Sequence, residues 1–186
     1  MNGSGSNDQP LFFRRSTGPK PVPYWPIERC KRKALIGTCL SSDLIGTMLH
    51  YDGKRSFACL GDEYCQMDHR KNVPRKTFFI GAMVHPGCER KIIQMTDRVE
   101  AAWDEAFCLY RTLRGVKFKL HRSPETTNGK LFCVTGKRDL NLDELPKCPD
   151  IVEMLWRIWD LPPDLLPLNT LSLTPLERKV VRENLG

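Results

Sequence analysis

Residues 97–122 read DRVEAAWDEAFCLYRTLRGVKFKLHR, and the repeat of the apolar positions changes within them. Val99, Trp103, Ala106, Phe107, Tyr110 and Leu113 recur at the spacing of one helical face. Asp97 and Glu100 stand at capping-box spacing, and Gly115 sits where a helix terminates. From Val116 the period is two: Val116, Phe118 and Leu120 alternate with Lys117, Lys119 and His121. That pattern predicts a half-buried strand with a basic outer face.

Working outward, the flanking segments read as strands. Upstream, 31–40 is a first strand, with Ala34, Ile36 and Thr38 on one face and Leu35, Gly37 and Cys39 on the other. Ser41-Ser42-Asp43 makes a turn. Residues 44–51 form a second strand and 76–85 a third, with Gly46 and Gly81 in their interiors, where glycine permits sharp coiling. Residues 91–95 read as an extension of the third strand after a turn at His85-Pro86-Gly87. Downstream, turn-rich 123–129 leads to a last strand at 130–135.

The order strand, strand, strand, helix, strand, strand resembles that of the OB-fold, a five-stranded Greek-key barrel with its helix between strands three and four. The resemblance is one of topology and covers residues 30–138. It implies a mainly β chain in which an OB-like barrel spans 29–138. It also implies ligand binding on the face of strands two and three, flanked by the loops between strands one and two and between strands four and five.

Between the second and third strands, His50, Cys59, Cys65 and His69 are spaced H-x8-C-x5-C-x3-H. Thiolates and imidazoles are the ligands of a tetrahedral zinc. The loop 50–74 is too polar to build a core of its own, so a metal would give it one shape. In ligand type it is similar to a zinc-knuckle insertion; Asp68 and Cys88 are possible substitutes for either histidine. No HExxH pattern and no deaminase-type HxE…CxxC pattern occurs, so a structural zinc is expected rather than a catalytic one. A metal-dependent nuclease or deaminase is a minor alternative. P-loop, GxSxG and GxGxxG motifs are absent, and no catalytic residue is assigned.

The net charge is +7, unevenly spread. Residues 1–95 carry 15 Lys/Arg against 8 Asp/Glu, whereas 141–186 carry 5 against 8. A basic body attracts phosphate backbones. Lys31, Arg32, Lys33, Lys54, Arg55, Arg70, Lys71, Arg75 and Lys76 gather around the first strand and the ends of the candidate zinc loop. Lys117, Lys119, Arg122 and Lys130 lie on the fourth and fifth strands. Tyr51, Phe57, Phe79 and Phe132 are candidates to stack on bases, with barrel core as the alternative for each. If the topology holds, the basic side chains converge on one curved wall. The function expected is non-enzymatic binding of nucleic acid, single-stranded DNA or RNA. The rival is an adaptor subunit of a larger nucleoprotein assembly.

The two ends differ from the middle. Residues 1–28 read as an extended, Pro-rich basic arm whose aromatics (Phe12, Phe13, Tyr24, Trp25) either stack on bases or dock. Residues 139–186 form an acidic, apolar, helical extension with a helix over 150–161 and a short one after Thr174-Pro175. Its Trp156, Trp159, Leu165 and Leu166 either cover the barrel or dock on a protein partner. Eight cysteines without a signal-peptide pattern predict thiols and metal ligands rather than disulfides. No apolar run is long enough for a membrane span. A cytoplasmic or nucleoid-associated, non-secreted protein is expected.

Overall fold

The computed structural model of the chain describes residues 25–59, 65, 67, 70–124, 129–139, 141–159 and 170–171. It is mainly β. In chain order the elements are β1 (Ile27–Arg29), β2 (Leu35–Cys39), β3 (Ile45–Tyr51), β4 (Ser56–Ala58), β5 (Arg75–Val84), β6 (Glu89–Thr96), α1 (Glu100–Tyr110), β7 (Val116–Arg122), β8 (Leu131–Arg138), α2 (Ile151–Trp159) and β9 (Thr170–Leu171). The strands join in one mixed sheet that does not close, with the path β1-β6-β5-β2-β7-β8.

β5 organises the sheet. Its first half pairs with β3 (Ile45↔Phe79 to Leu49↔Arg75) and its second half with β2 (Gly37↔Val84 to Cys39↔Ala82). The first and second strands expected from sequence therefore lie end to end along one partner, interrupted by the residue 40–44 jog. On its other edge β5 pairs with β6 over its length, from Thr77↔Thr96 to Val84↔Glu89. This corrects the reading of 91–95 as an extension of the third strand: the chain reverses at 85–88 and returns antiparallel. β7 then joins β2, and β8 joins β7.

Strand alternation gives β5 two apolar faces. Phe78, Ile80, Ala82 and Val84 face a core completed by Ile93, Met95, Val116, Phe118 and Leu120, with Trp103 and Ala106 of α1 packed over it. Phe79 and Met83 face the other way, into Trp25, Leu40, Leu49, Ile92, Ile151 and Leu155. α1 thus covers one face and α2 with Trp25 covers the other. The sequence-expected arm ends in this second layer: Trp25 is buried and β1 pairs in parallel with β6.

Helix α1 begins with a 3-10 turn, Asp97–Val99, and no side-chain cap is made at either start. The capping box does not form because Glu100 turns inward to bond Lys76 Nζ at 3.2 Å. The helix ends at Tyr110, where Arg111 adopts the left-handed conformation (φ 60°). Gly115, also left-handed at φ 85°, instead immediately precedes β7, and a Cβ there would lie 2.5 Å from Leu142 Cδ2. α2 (Ile151–Trp159) falls within the helix expected at 150–161. The second expected helix, after Thr174-Pro175, lies outside the described residues.

Candidate metal centre and basic surfaces

The pairing Leu49↔Arg75 is the last between β3 and β5, so His50 and Tyr51 run on beyond the body of the sheet. There they pair only with β4, as His50↔Phe57 and Tyr51↔Ser56. A tight turn makes this hairpin. The backbone N–H groups of Arg55 and Lys54 both donate to Asp52 Oδ1 at 2.8 Å, which holds the Asp52 carboxyl below its usual range. Gly53 takes φ 93°, and the Tyr51 hydroxyl donates to its carbonyl at 2.6 Å. The Cys59 N–H donates to Met48 O at 2.8 Å, so the ladder geometry carries through to the first thiol.

His50 is fully buried at this projecting end, with Phe57 stacked on its ring at 5.7 Å. Its two nitrogens have different neighbours. Nδ1 lies 3.4 Å from Asn72 Oδ1, and Asn72 Nδ2 donates to Tyr51 O at 2.9 Å. That second bond fixes the amide orientation, because only the NH2 end can donate to a carbonyl. The oxygen then faces Nδ1, which carries the proton. The lone pair is left on Nε2, which lies 3.1 Å from Cys65 Sγ. His50, Cys59 and Cys65 place their ligand atoms within 4.8 Å of one another. Ligand bonds of 2.0–2.3 Å in a tetrahedron imply ligand–ligand spacings of about 3.5–3.8 Å, between the 3.1 Å of the His50–Cys65 pair and the 4.8 Å that bounds all three atoms. These three residues can hold a metal ion. A hydrogen bond to the distal ring nitrogen of a ligating histidine is the usual outer support of such a site.

His69, the fourth ligand expected from sequence, and Asp68, a substitute, lie outside the described residues. Cys88 is not a substitute. It sits in the β5–β6 turn, 4.0 Å from His85 Nδ1, at the opposite end of β5 from His50. Asn72 carried no signal in the sequence, since an outer hydrogen bond has no spacing rule. Cys30, Cys39, Cys65, Cys88, Cys108, Cys133 and Cys148 are free thiols. Burial pushes the Cys39 and Cys133 thiols up to about 12 and Cys148 up to about 11, which keeps them protonated packing groups.

The basic residues fall into two groups along the strands. Lys54, Arg55, Arg70, Lys71 and Arg75 are exposed at the metal end. Lys31, Arg32 and Lys33 precede β2, where they neighbour Arg122, Lys119 and Lys130 through the Leu35↔Leu120 pairing; two residues before Lys31, Arg29 donates to Ser56 Oγ of the β4 hairpin at 3.0 Å. Two expected contacts are used inside the fold. Lys76 is ion-paired with buried Glu100 at 3.2 Å. Arg122 donates to the carbonyls of Cys30 and Gly129 at 2.7 and 2.9 Å.

The candidate aromatics also divide. Phe79 is fully buried beneath the Trp159 edge, 5.8 Å away, and is core rather than a stacking platform. Phe57 is half-buried against His50. Tyr51 and Phe132 are exposed, at 54% and 40%. Trp156 is buried in the chain's own second layer and Trp159 packs on Phe79, so α2 spends both rings internally; Leu165 and Leu166 lie outside the described residues. No helix among the described residues is long and apolar enough to cross a membrane. No family model, curated protein or solved structure matches this chain.

Proposed function

We propose that the chain is a non-enzymatic module that binds single-stranded nucleic acid, with a structural zinc fixing the loop that carries part of its positive charge. The observation that carries this reading is the imidazole–dithiol cluster under the β3–β4 hairpin, with His50 and Cys59 buried and Cys65 half-buried. It ties a polar loop, unable to pack by itself, into a projection that displays Lys54, Arg55, Arg70 and Lys71. Phosphate contacts of this kind supply affinity and make it salt-dependent.

Connectivity supports an OB-like build for the body. With β2 and β3 taken as one long strand broken at 40–44, the sequence strand–β5–β6–α1–β7–β8 and the pairings of that strand with β5 and β7 follow the OB order. The step from an open sheet to a closed barrel would be a β6–β8 pairing; β1 occupies the outer edge of β6 instead. A structural role for the metal, not a catalytic one, is supported by burial. His50 is inaccessible, Cys59 is 5% exposed, and no carboxylate joins the cluster among the described residues. A catalytic zinc needs an open position and a nearby base. The adaptor reading rested on Trp156, Trp159, Leu165 and Leu166; two of these anchors are consumed inside the chain, which favours the nucleic-acid reading.

The test is fluorescence anisotropy with a labelled oligothymidylate or oligouridylate of about 20 nucleotides, at about 50 and about 200 mM KCl. Binding at low salt that weakens at least tenfold at the higher salt is the expected outcome. An absence of binding at low salt refutes the reading.

A further inference from the structure

The two outward faces of the sheet are treated differently by the rest of the chain. On β5 and β6 the outward face is closed by the protein itself. Phe79, Ile92 and Leu155 are inaccessible, Trp25 and Ile151 nearly so. Above Gly81 a Cβ would lie 2.4 Å from Cys148 Sγ and 3.2 Å from Trp25. The approach to this layer is clamped by Arg114, whose guanidinium donates to the carbonyls of Leu40, Leu142, Leu145 and Pro146 at 2.7–3.2 Å. This is the face on which the OB resemblance would place a ligand, and α2 fills it.

The outward face of β7 and β8, with Ile36 of β2 beside it, is open among the described residues, whereas Thr38 on the same face of β2 is buried against His85. Registers set one rung across three strands, Ile36↔Lys119↔Val134, and the next across two, His121↔Phe132. Ile36 is 50% exposed and Val134 58%, well above what a covered sheet face allows. The His121 and Phe132 rings stack nearly parallel, 5.3 Å apart at 17°, and Lys130 Nζ lies 5.5 Å from the Phe132 centroid. Lys117 and Lys119 are exposed on the same face of β7.

We propose that this β2–β7–β8 face is a second contact surface for the single strand, with bases stacking on the Phe132–His121 pair and phosphates held by Lys117, Lys119 and Lys130. The proposal rests on the nucleic-acid reading above and adds base contacts to the exposed Tyr51 of the metal end. Its juxtaposition of flat rings with flexible ammonium groups suits a chain that alternates bases and phosphates. A second copy of this protein is disfavoured as occupant. A two-fold contact would set the same lysines against one another, and like charges across an interface are repulsive.

The experiment is the same anisotropy titration on full-length wild type, Phe132→Ala, Phe132→Trp, Lys119→Glu and the metal-end double variant Arg70→Glu/Lys71→Glu. Phe132→Ala should weaken binding roughly 5- to 150-fold. Phe132→Trp should retain it, with indole fluorescence quenched by the oligonucleotide. Lys119→Glu should weaken binding and flatten the salt dependence. If wild type binds, but Phe132→Ala and Lys119→Glu bind equally well while the metal-end variant fails, this face is refuted and the functional reading survives. If wild type binds nothing at low salt, both fall. Sedimentation supplies the remaining arm: a dimer that Val134→Glu dissociates would give the face to a second copy and overturn the proposal.

Discussion

The body of the sheet and its metal end are built on different physics. In the body, β5 has apolar side chains on both faces, and each face is covered by a helix; Trp103, Phe78, Phe79, Ile80, Ile92, Ile93 and Leu155 are all inaccessible. Burial of that kind contributes about 1.5–3 kcal/mol per large side chain and needs no ligand. At the metal end, β3 outruns β5 and a three-residue β4 is its pairing partner beyond Leu49. Beyond the hydrogen bonds of the hairpin itself, order there draws on the Phe57–His50 stack, the Asn72 amide and the three ligand atoms. The body should therefore be indifferent to metal, and the hairpin end should not.

The largest effect that sharpens this contrast is in the body. Trp103→Ala removes an inaccessible ring that packs on Phe118 at 5.4 Å, and should destabilise the fold by about 3–5 kcal/mol. Chemical denaturation with and without chelator measures it; a loss that appears only when metal is present would break the comparison. Next, Asn72→Ala removes the acceptor for His50 Nδ1 and should weaken zinc affinity roughly 10- to 100-fold. Its thermal stability without metal should match that of wild type. Competition with a chromophoric chelator reads the first quantity, and unchanged affinity would deny Asn72 its supporting role. The smallest effect is one of rates. Cys88 and Cys108 are exposed and should alkylate first at pH 8, whereas Cys39 and Cys133, whose thiols burial pushes up to about 12, should react only on unfolding. Cys59 and Cys65 should join the fast class on metal removal alone. Peptide mapping after a short iodoacetamide pulse separates the three groups.

Much of the body was legible in the sequence because its faces alternate cleanly. The Val116–Arg122 strand shows its inward Val116, Phe118 and Leu120 and its outward lysines directly, and α1 shows Trp103 and Ala106 on one stripe. The 89–96 strand was missed because the reversal before it was read as a pause within one strand; periodicity alone does not say whether a chain continues or turns back. The internal uses of Lys76 and Arg122 were also hidden, since a basic residue at a solvent-facing spacing can still reach a buried carboxylate or a carbonyl. At the candidate site, ligand type and clustering pointed to His50, Cys59 and Cys65, while Asn72 required coordinates.

Hydrogen exchange followed by mass spectrometry, on the zinc-loaded protein before and after a chelator, tests the division most directly. Amides of 48–59 and 70–73 should lose protection on metal removal, while those of β5, β6, α1 and β7 keep theirs. Protection unchanged throughout, or lost evenly across the sheet, would contradict a metal-held end on a self-sufficient body.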